Sequence, residues 1–398
     1  MLMLHLCTQG TETKPVRTER FVIGVNYWPR KLGLDLWRRF DVDVVQEDFA
    51  LLSELGVGQA KINLVWEDFQ SKPESLRCAA LAHLLALCDA ASAENLKLEL
   101  SLMGGHLDGV NCVPSWLLDS AKTRASTYPT LCKRERVEQG IRCPWSDPLA
   151  HDASVHFAEG IAKAVGGHSA IAAYNLGNEP EKLGKLTEDD SFYLWLDELK
   201  DAVTSIDPRH PVTCTVGAHH LSTQGTLRLD RVFSKLDFCS IKGQVETPTE
   251  PNGTQEQRAA FTIALARQLT QKPVQFIKDV VSVEPSHRRP PPDHPSIAQH
   301  LELLLPYLVS QGARGIYAYS YSDVATSELA GFQRSPYGLF DETGQLKPVG
   351  TALKGFATAC PKVIACAKSA VPSTLSPDRF YESPETQVKE LFLGFLNG

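Results

Sequence analysis

The chain has 398 residues, 43% of them hydrophobic and 22% charged, with a net charge of −7. That length suits one large domain, and the mildly acidic balance argues against nucleic acid or an anionic membrane surface as partner. It contains no apolar run of about 18 residues, which excludes a membrane-spanning helix, and its ten cysteines form no Cys-x-x-Cys pair, while Cys78, Cys88, Cys214 and Cys239 sit in apolar runs as small hydrophobes, a usage that fits a reducing, cytoplasmic setting.

Residues 1–19 read as a disordered leader, because the apolar start at 1–7 lacks a basic region and polar residues follow at once. From there short β-rich runs alternate with longer amphipathic ones. Residues 21–27 predict a strand and 42–55 a helix, with Val45, Phe49, Leu52 and Leu55 on one face and Gly56 as the stop. Strands are predicted at 60–65 and 97–103, with a helix at 79–93 between them. An irregular stretch, 104–148, precedes a helix at 149–165. The fourth strand, 170–176, is followed by a helix at 192–205, and further strands fall at 211–216, 237–241, 273–277 and 315–320. Helices at 227–235, 255–269, 297–309 and 349–357 fill the intervals.

Eight β–α pairs in alternation predict an α/β fold, a single-domain (β/α)8 TIM barrel over residues 20–360. Residues 361–398 read as a linker and a C-terminal helix packed on the barrel exterior. An open doubly wound sheet is the alternative. No Gly-x-Gly-x-x-Gly turn follows the first strand, and His219-His220 has no third ligand at metal spacing. No cofactor is expected.

Barrel chemistry sits at the C-terminal ends of the strands. The fourth strand ends Asn175-Leu176-Gly177-Asn178-Glu179-Pro180, which leaves an amide and a carboxylate together at the rim. Such a pair suits holding a sugar hydroxyl while an acid protonates a glycosidic oxygen.

With these pieces in order the chain resembles the clan A glycoside hydrolases, and is similar to the family 5 cellulases and mannanases. The matching segments are Gly24-Val25-Asn26-Tyr27-Trp28-Pro29, Trp66-Glu67-Asp68-Phe69, Gly105-His106, Asn175 through Pro180, and Lys272-Pro273-Val274. The resemblance implies Glu179 as acid/base. It also implies a glutamate nucleophile on strand seven, where this chain reads Gln275-Phe276-Ile277-Lys278-Asp279. Lys278 falls at the nucleophile position, Lys61 at the family's strand-two arginine, Lys242 and Gln244 at its strand-six histidine and tyrosine, and Tyr319 at its strand-eight tryptophan.

Retaining hydrolysis needs two carboxyl groups about 5 Å apart. A lysine cannot be that nucleophile, and facing Glu179 it would hold the acid ionised. Asp279 on a bulged strand is the fallback nucleophile, Glu246 on the loop after strand six is a second candidate, and an inverting route would use a more distant carboxylate such as Asp108 or Asp323 as base. Trp66, His106, Asn178, Lys242 and Tyr319 are the expected substrate-binding residues, within a rim that also carries Tyr27, Trp28, Trp116, Tyr128, Trp145 and Tyr321.

Three functions follow. The first is a glycoside hydrolase homologue for β-linked glucan or mannan, its activity limited by Lys278. The second is a non-catalytic carbohydrate-binding pseudo-enzyme. The third is a Schiff-base enzyme using Lys242 and Lys278 in close company. The expected partner is an oligo- or polysaccharide, not nucleic acid or membrane.

Overall fold

The computed structural model describes residues 21–107, 109–123, 128–187, 189–225, 227–246, 253–278, 294–323, 337–359 and 371–397. Eight parallel strands close into a barrel: β1 Val22–Tyr27, β2 Gln59–Val65, β3 Lys97–Gly104, β4 Ile171–Asn178, β5 Val212–Gly217, β6 Cys239–Lys242, β7 Val274–Ile277 and β8 Gly315–Ala318. Each pairs with its sequence neighbours, and β8 returns to β1 with Val22 opposite Gly315. The predicted TIM barrel is therefore the fold.

Helices α1 Val42–Glu54, α2 Cys78–Ala93, α3 Pro148–Val165, α4 Ser191–Thr204, α5 Leu229–Val232, α6 Gln255–Thr270, α7 His294–Ser310 and α8 Pro348–Ala359 follow the strands in turn. Their starts are written locally. Asp41 accepts from the backbone of Asp43 and Val44 at the head of α1, and Asp147 accepts from Ala150 ahead of Pro148 at α3. Thr254 and Gln257 close a reciprocal capping box on α6. The predicted 227–235 helix shrinks to the single turn of α5.

Side chains alternate along each strand. Outward positions such as Leu98, Leu100, Tyr174, Leu176, Val216, Ile241 and Phe276 are buried in the apolar layer under the helices. Inward positions are unusually polar for a barrel: Lys61, Glu99, Asn175, Thr215, Ser240 and Gln275 are all at most 1% exposed.

The stretch expected to be irregular holds two small sheets. His106–Leu107, Val110–Cys112, Thr130–Cys132 and Glu135–Val137 form one, and Leu118–Thr123 pairs with Gln139–Ile141 in the other. Strands of two or three residues carry too little alternation to read from sequence. Two C-terminal helices, α9 Pro377–Glu382 and α10 Pro384–Asn397, lie on the exterior, with the Phe392 ring 5.1 Å from Phe261 of α6. The leader and residues 361–370 lie outside the described residues.

Candidate active site

Glu179 follows β4 directly and is 3% exposed. Its backbone is left-handed, with φ 51° and ψ 52°, between the strand and a 3-10 turn that Pro180 opens. That conformation is costly for a residue with a Cβ, and such residues cluster at functional sites.

Each carboxylate oxygen of Glu179 meets an ammonium. Lys182 Nζ, from the same 3-10 turn, lies 2.5 Å from Oε1, and Lys242 Nζ, at the end of β6, lies 3.0 Å from Oε2. Burial alone would raise the Glu179 pKa, but Lys242 and Lys182 outweigh it and hold the group well below the ordinary glutamate value. Lys182 is in turn raised by Glu179 against its own desolvation, and it sits over the Tyr128 ring.

His106 caps the other side. Its Nε2 accepts from the Gly109 backbone at 3.2 Å, so the proton is assigned to Nδ1, which faces Asn111 Oδ1 at 2.7 Å. Burial lowers its pKa, which fits that neutral form. His219 is likewise pushed down to about 4, by burial and then by His220. Gly217 makes room here: a Cβ would collide with the His219 ring and lie 3.2 Å from Glu179 Oε1. His220 pairs instead with buried Glu181 at 3.1 Å. Among the described residues no cluster of three or more groups could hold a metal ion.

Beneath this layer runs a polar network. Lys61 Nζ donates to Asn178 Oδ1 at 3.0 Å and to Thr215 at 2.9 Å. Glu99 accepts from Asn175 and from Gln275, both at 2.8 Å. Desolvation lowers the Lys61 pKa to about 8, with Glu99 the largest opposing influence.

The expected arrangement around Lys278 is not found. Gln275 of β7 points inward to Glu99, so Lys278, three residues on, falls on the outward face. It lines a narrow apolar cavity with Ile297, Leu301, Ala318, Tyr337, Leu339 and Val349. Desolvation pushes its pKa down to about 7, and the charge that acts on it is Glu256 of α6. The cations at Glu179 are Lys242 and Lys182, and the lysine pair imagined for Schiff-base chemistry is split between the barrel axis and the helix layer. Asp279 and Asp108 lie outside the described residues. Glu246 is exposed, and Asp323 is held by Lys347 at 2.8 Å. Glu99 is the one carboxylate that the eight described strands carry.

Trp66 is also not where a sugar-stacking ring would be. A one-turn helix, Trp66–Phe69, follows β2 and turns the ring into the core, where it is fully buried edge-on to Trp116 and donates to Gln70. Tyr319 follows β8 and is half-buried. Tyr27 and Tyr321 are buried around Asp48, and Trp145 packs on Phe192 and Trp195. Asn178 is brought to Glu179 as expected, with its amide engaged by Lys61 and by the His106 carbonyl. Sequence reasoning missed Lys182 and Glu99. Lys182 stands three residues after Glu179, just past a proline-opened turn, and that spacing was the available signal.

No family model matches the chain, and no curated protein matches it. Solved structures do. A GH5_18 from Bifidobacterium longum subsp. longum superposes with a TM-score of 0.71 at 19% identity, covering 86% of this chain and 79% of that one. A glutamate-to-alanine variant of a GH5_18 from Streptomyces cattleya, in complex with Manβ1-4GlcNAc, gives 0.69 at 17% identity over 94% and 97%. The exo-β-1,4-mannosidase Op5Man5 from an Opitutaceae bacterium gives 0.68 at 19% over 86% and 60%. The chain thus shares the barrel fold of GH5_18 glycoside hydrolases.

Proposed function

We propose that this chain binds a β-linked oligosaccharide of manno- or gluco-configuration across the C-terminal rim of the barrel, centred on Glu179, and does not hydrolyse it by the retaining route. The observation that carries the reading is the clamp on Glu179: Lys182 at one oxygen and Lys242 at the other. A general acid must hold a proton near neutral pH, and a carboxylate clamped between two ammoniums gives that proton up. The fold likeness to structures that hold Manβ1-4GlcNAc supports the ligand class.

The test is calorimetric titration with Manβ1-4GlcNAc, manno-oligosaccharides and cello-oligosaccharides, beside assays on aryl β-mannosides and β-glucosides. Binding without turnover is expected. Robust turnover abolished by Glu179→Gln would overturn the non-catalytic reading and restore Glu179 as acid/base.

A further inference from the structure

The two C-terminal helices, α9 and α10, lie on the sector of the barrel that carries β5 and β6, and two lines of contact lead from them to Glu179. The first runs through α6. Val388 and Phe392, one turn apart on α10, are both fully buried. The Phe392 and Phe395 rings lie 5.1 and 5.5 Å from the Phe261 ring. Phe392 also fills the place that a Cβ on Gly253 would take, just ahead of the α6 cap. The next residue on α6, Thr262, is buried, and its hydroxyl accepts from the Val245 backbone at 2.9 Å. Val245 stands three residues past Lys242, which holds Glu179 Oε2. The second line runs over the loop after β5. There α10 lies against the 3-10 turn Ala218–Leu221. The rest of that loop is fastened by α9: the Glu382 carbonyl accepts from Gln224 at 3.4 Å, Asp378 pairs with Arg228 at 2.6 Å, and the Tyr381 hydroxyl accepts from the Leu229 backbone at 2.8 Å. The turn carries His219, whose ring and Glu179 Oε1 bound the same small space beside Gly217. It also carries His220, which pairs with Glu181.

We propose that Phe392 and Phe395 of α10 are positioning residues for the site: through Phe261 and Thr262 they hold the end of β6 where Lys242 meets Glu179, while the same helix pair holds the turn that carries His219. One line of contact ends at Oε2 of the carboxylate and the other beside Oε1, so the pair acts on both sides of one group. The end of β6 needs such support. The strand stops at Lys242, and Gly243 after it has φ 77°, so the chain leaves the sheet directly behind the lysine. Beyond Gly243 the chain is anchored by the Val245–Thr262 hydrogen bond. Packed interiors deform little, and a displacement at one contact passes to the next along packed side chains and hydrogen bonds. Loosening α10 therefore moves Lys242 relative to Glu179 without touching either residue. The inference is independent of which ligand the rim receives.

The experiment follows the Glu179 carboxyl carbon by NMR across pH in the full-length chain, with thermal melting alongside; the signal is identified by its absence in Glu179→Gln. Phe392→Ala is compared with Phe356→Ala, which removes from α8 a ring that packs on Phe21 beside β1. Both substitutions should lower the melting temperature. Phe392→Ala alone should raise the Glu179 midpoint, because it loosens the lysine that keeps the carboxylate ionised. Phe392→Leu, which keeps the apolar bulk, should return the midpoint towards the wild-type value. A lower melting temperature with the midpoint unmoved or lowered in Phe392→Ala would mean that α10 serves the fold alone, and would overturn the proposal. An equal rise in Phe392→Ala and Phe356→Ala would overturn it as well, since the site would then respond to loosening anywhere in the barrel. Phe395→Ala removes the less buried of the two rings and repeats the test should Phe392→Ala not fold.

Discussion

Lys242 Nζ donates to Glu179 Oε2 at 3.0 Å, joining the C-terminal ends of two strands that are not neighbours in the barrel. This contact, more than any substitution on β7, sets the protonation state of the expected acid.

Lys242→Met should raise the Glu179 pKa, because one of its two flanking cations is lost while its burial remains. The Glu179 carboxyl carbon, identified by its absence in Glu179→Gln, reports this in a carbon NMR titration. An unmoved midpoint would show that Lys182 alone governs the group. The same depressed pKa has a stability consequence. The contribution of Glu179 is fully present above the ordinary glutamate pKa and is lost as pH falls through its lower folded value. Acid unfolding of Glu179→Gln should lack that component.

Lys61 predicts the opposite limb. Its folded pKa is about 8 against an ordinary lysine value of 10.5, so between these values the unfolded chain holds more protons at this position. Stability contributed by Lys61 should therefore rise with pH across that window, by on the order of 3 kcal/mol at most. The difference in denaturant stability between wild type and Lys61→Met at pH 7.5 and pH 10 measures it, with other groups cancelling. A difference that stays flat with pH would mean that Lys61 titrates normally.

Glu99 is a second buried charge, and two side-chain amides donate to it. Glu99→Leu removes the acceptor of Gln275, one of the two acceptors of Asn175 and the negative charge that most supports Lys61. The expected loss is about 3 kcal/mol or more by urea unfolding, since each charge-assisted hydrogen bond is worth about 1.5–3 kcal/mol. Wild-type stability in this variant would mean that the network rearranges freely.

Trp66→Ala should act on stability, not on ligand. The ring is fully buried against Trp116 and Phe157, so truncation should cost about 3–5 kcal/mol in urea unfolding. A well-folded variant with lost saccharide affinity would return Trp66 to the binding surface.

Arg134 ties the small sheet after β3 to the turn after β2. Its guanidinium reaches Glu67, Asp68 at 2.7 Å and the Leu34 carbonyl at 2.7 Å, while Arg38 takes the same two carboxylates. Arg134→Ala should make the segment around residues 130–137 markedly easier to cleave in limited proteolysis, because two buried carboxylates lose a shared counter-ion. Equal cleavage rates in variant and wild type would show that the short strands hold the segment by themselves.

The barrel was legible because each element is specified locally. Alternating and 3.6-residue periodicities, a capping Asp or Thr, and a stop such as Gly56 occur in chain order, and eight parallel β–α units have a short list of ways to bury both strand faces. Glu179 at the rim was legible for the same reason, since Pro180 limits the strand before it. The small sheets after β3 were not, because their strands are too short for a period to show.

What the sequence determined by itself is the (β/α)8 architecture and the rim position of Asn178 and Glu179. Only the tertiary structure decided what meets Glu179. Lys278 was aligned to the site by motif, yet the four residues of β7, Val274-Gln275-Phe276-Ile277, are apolar on both faces apart from Gln275. That glutamine, bonded to Glu99 across the barrel, fixes the inner face and sends Lys278 out towards the helices. Lys182 and Lys242 reach Glu179 from a turn beside it and a strand 63 residues along the chain. Contacts across a barrel depend on register and closure, which belong to all eight strands together and to no local pattern.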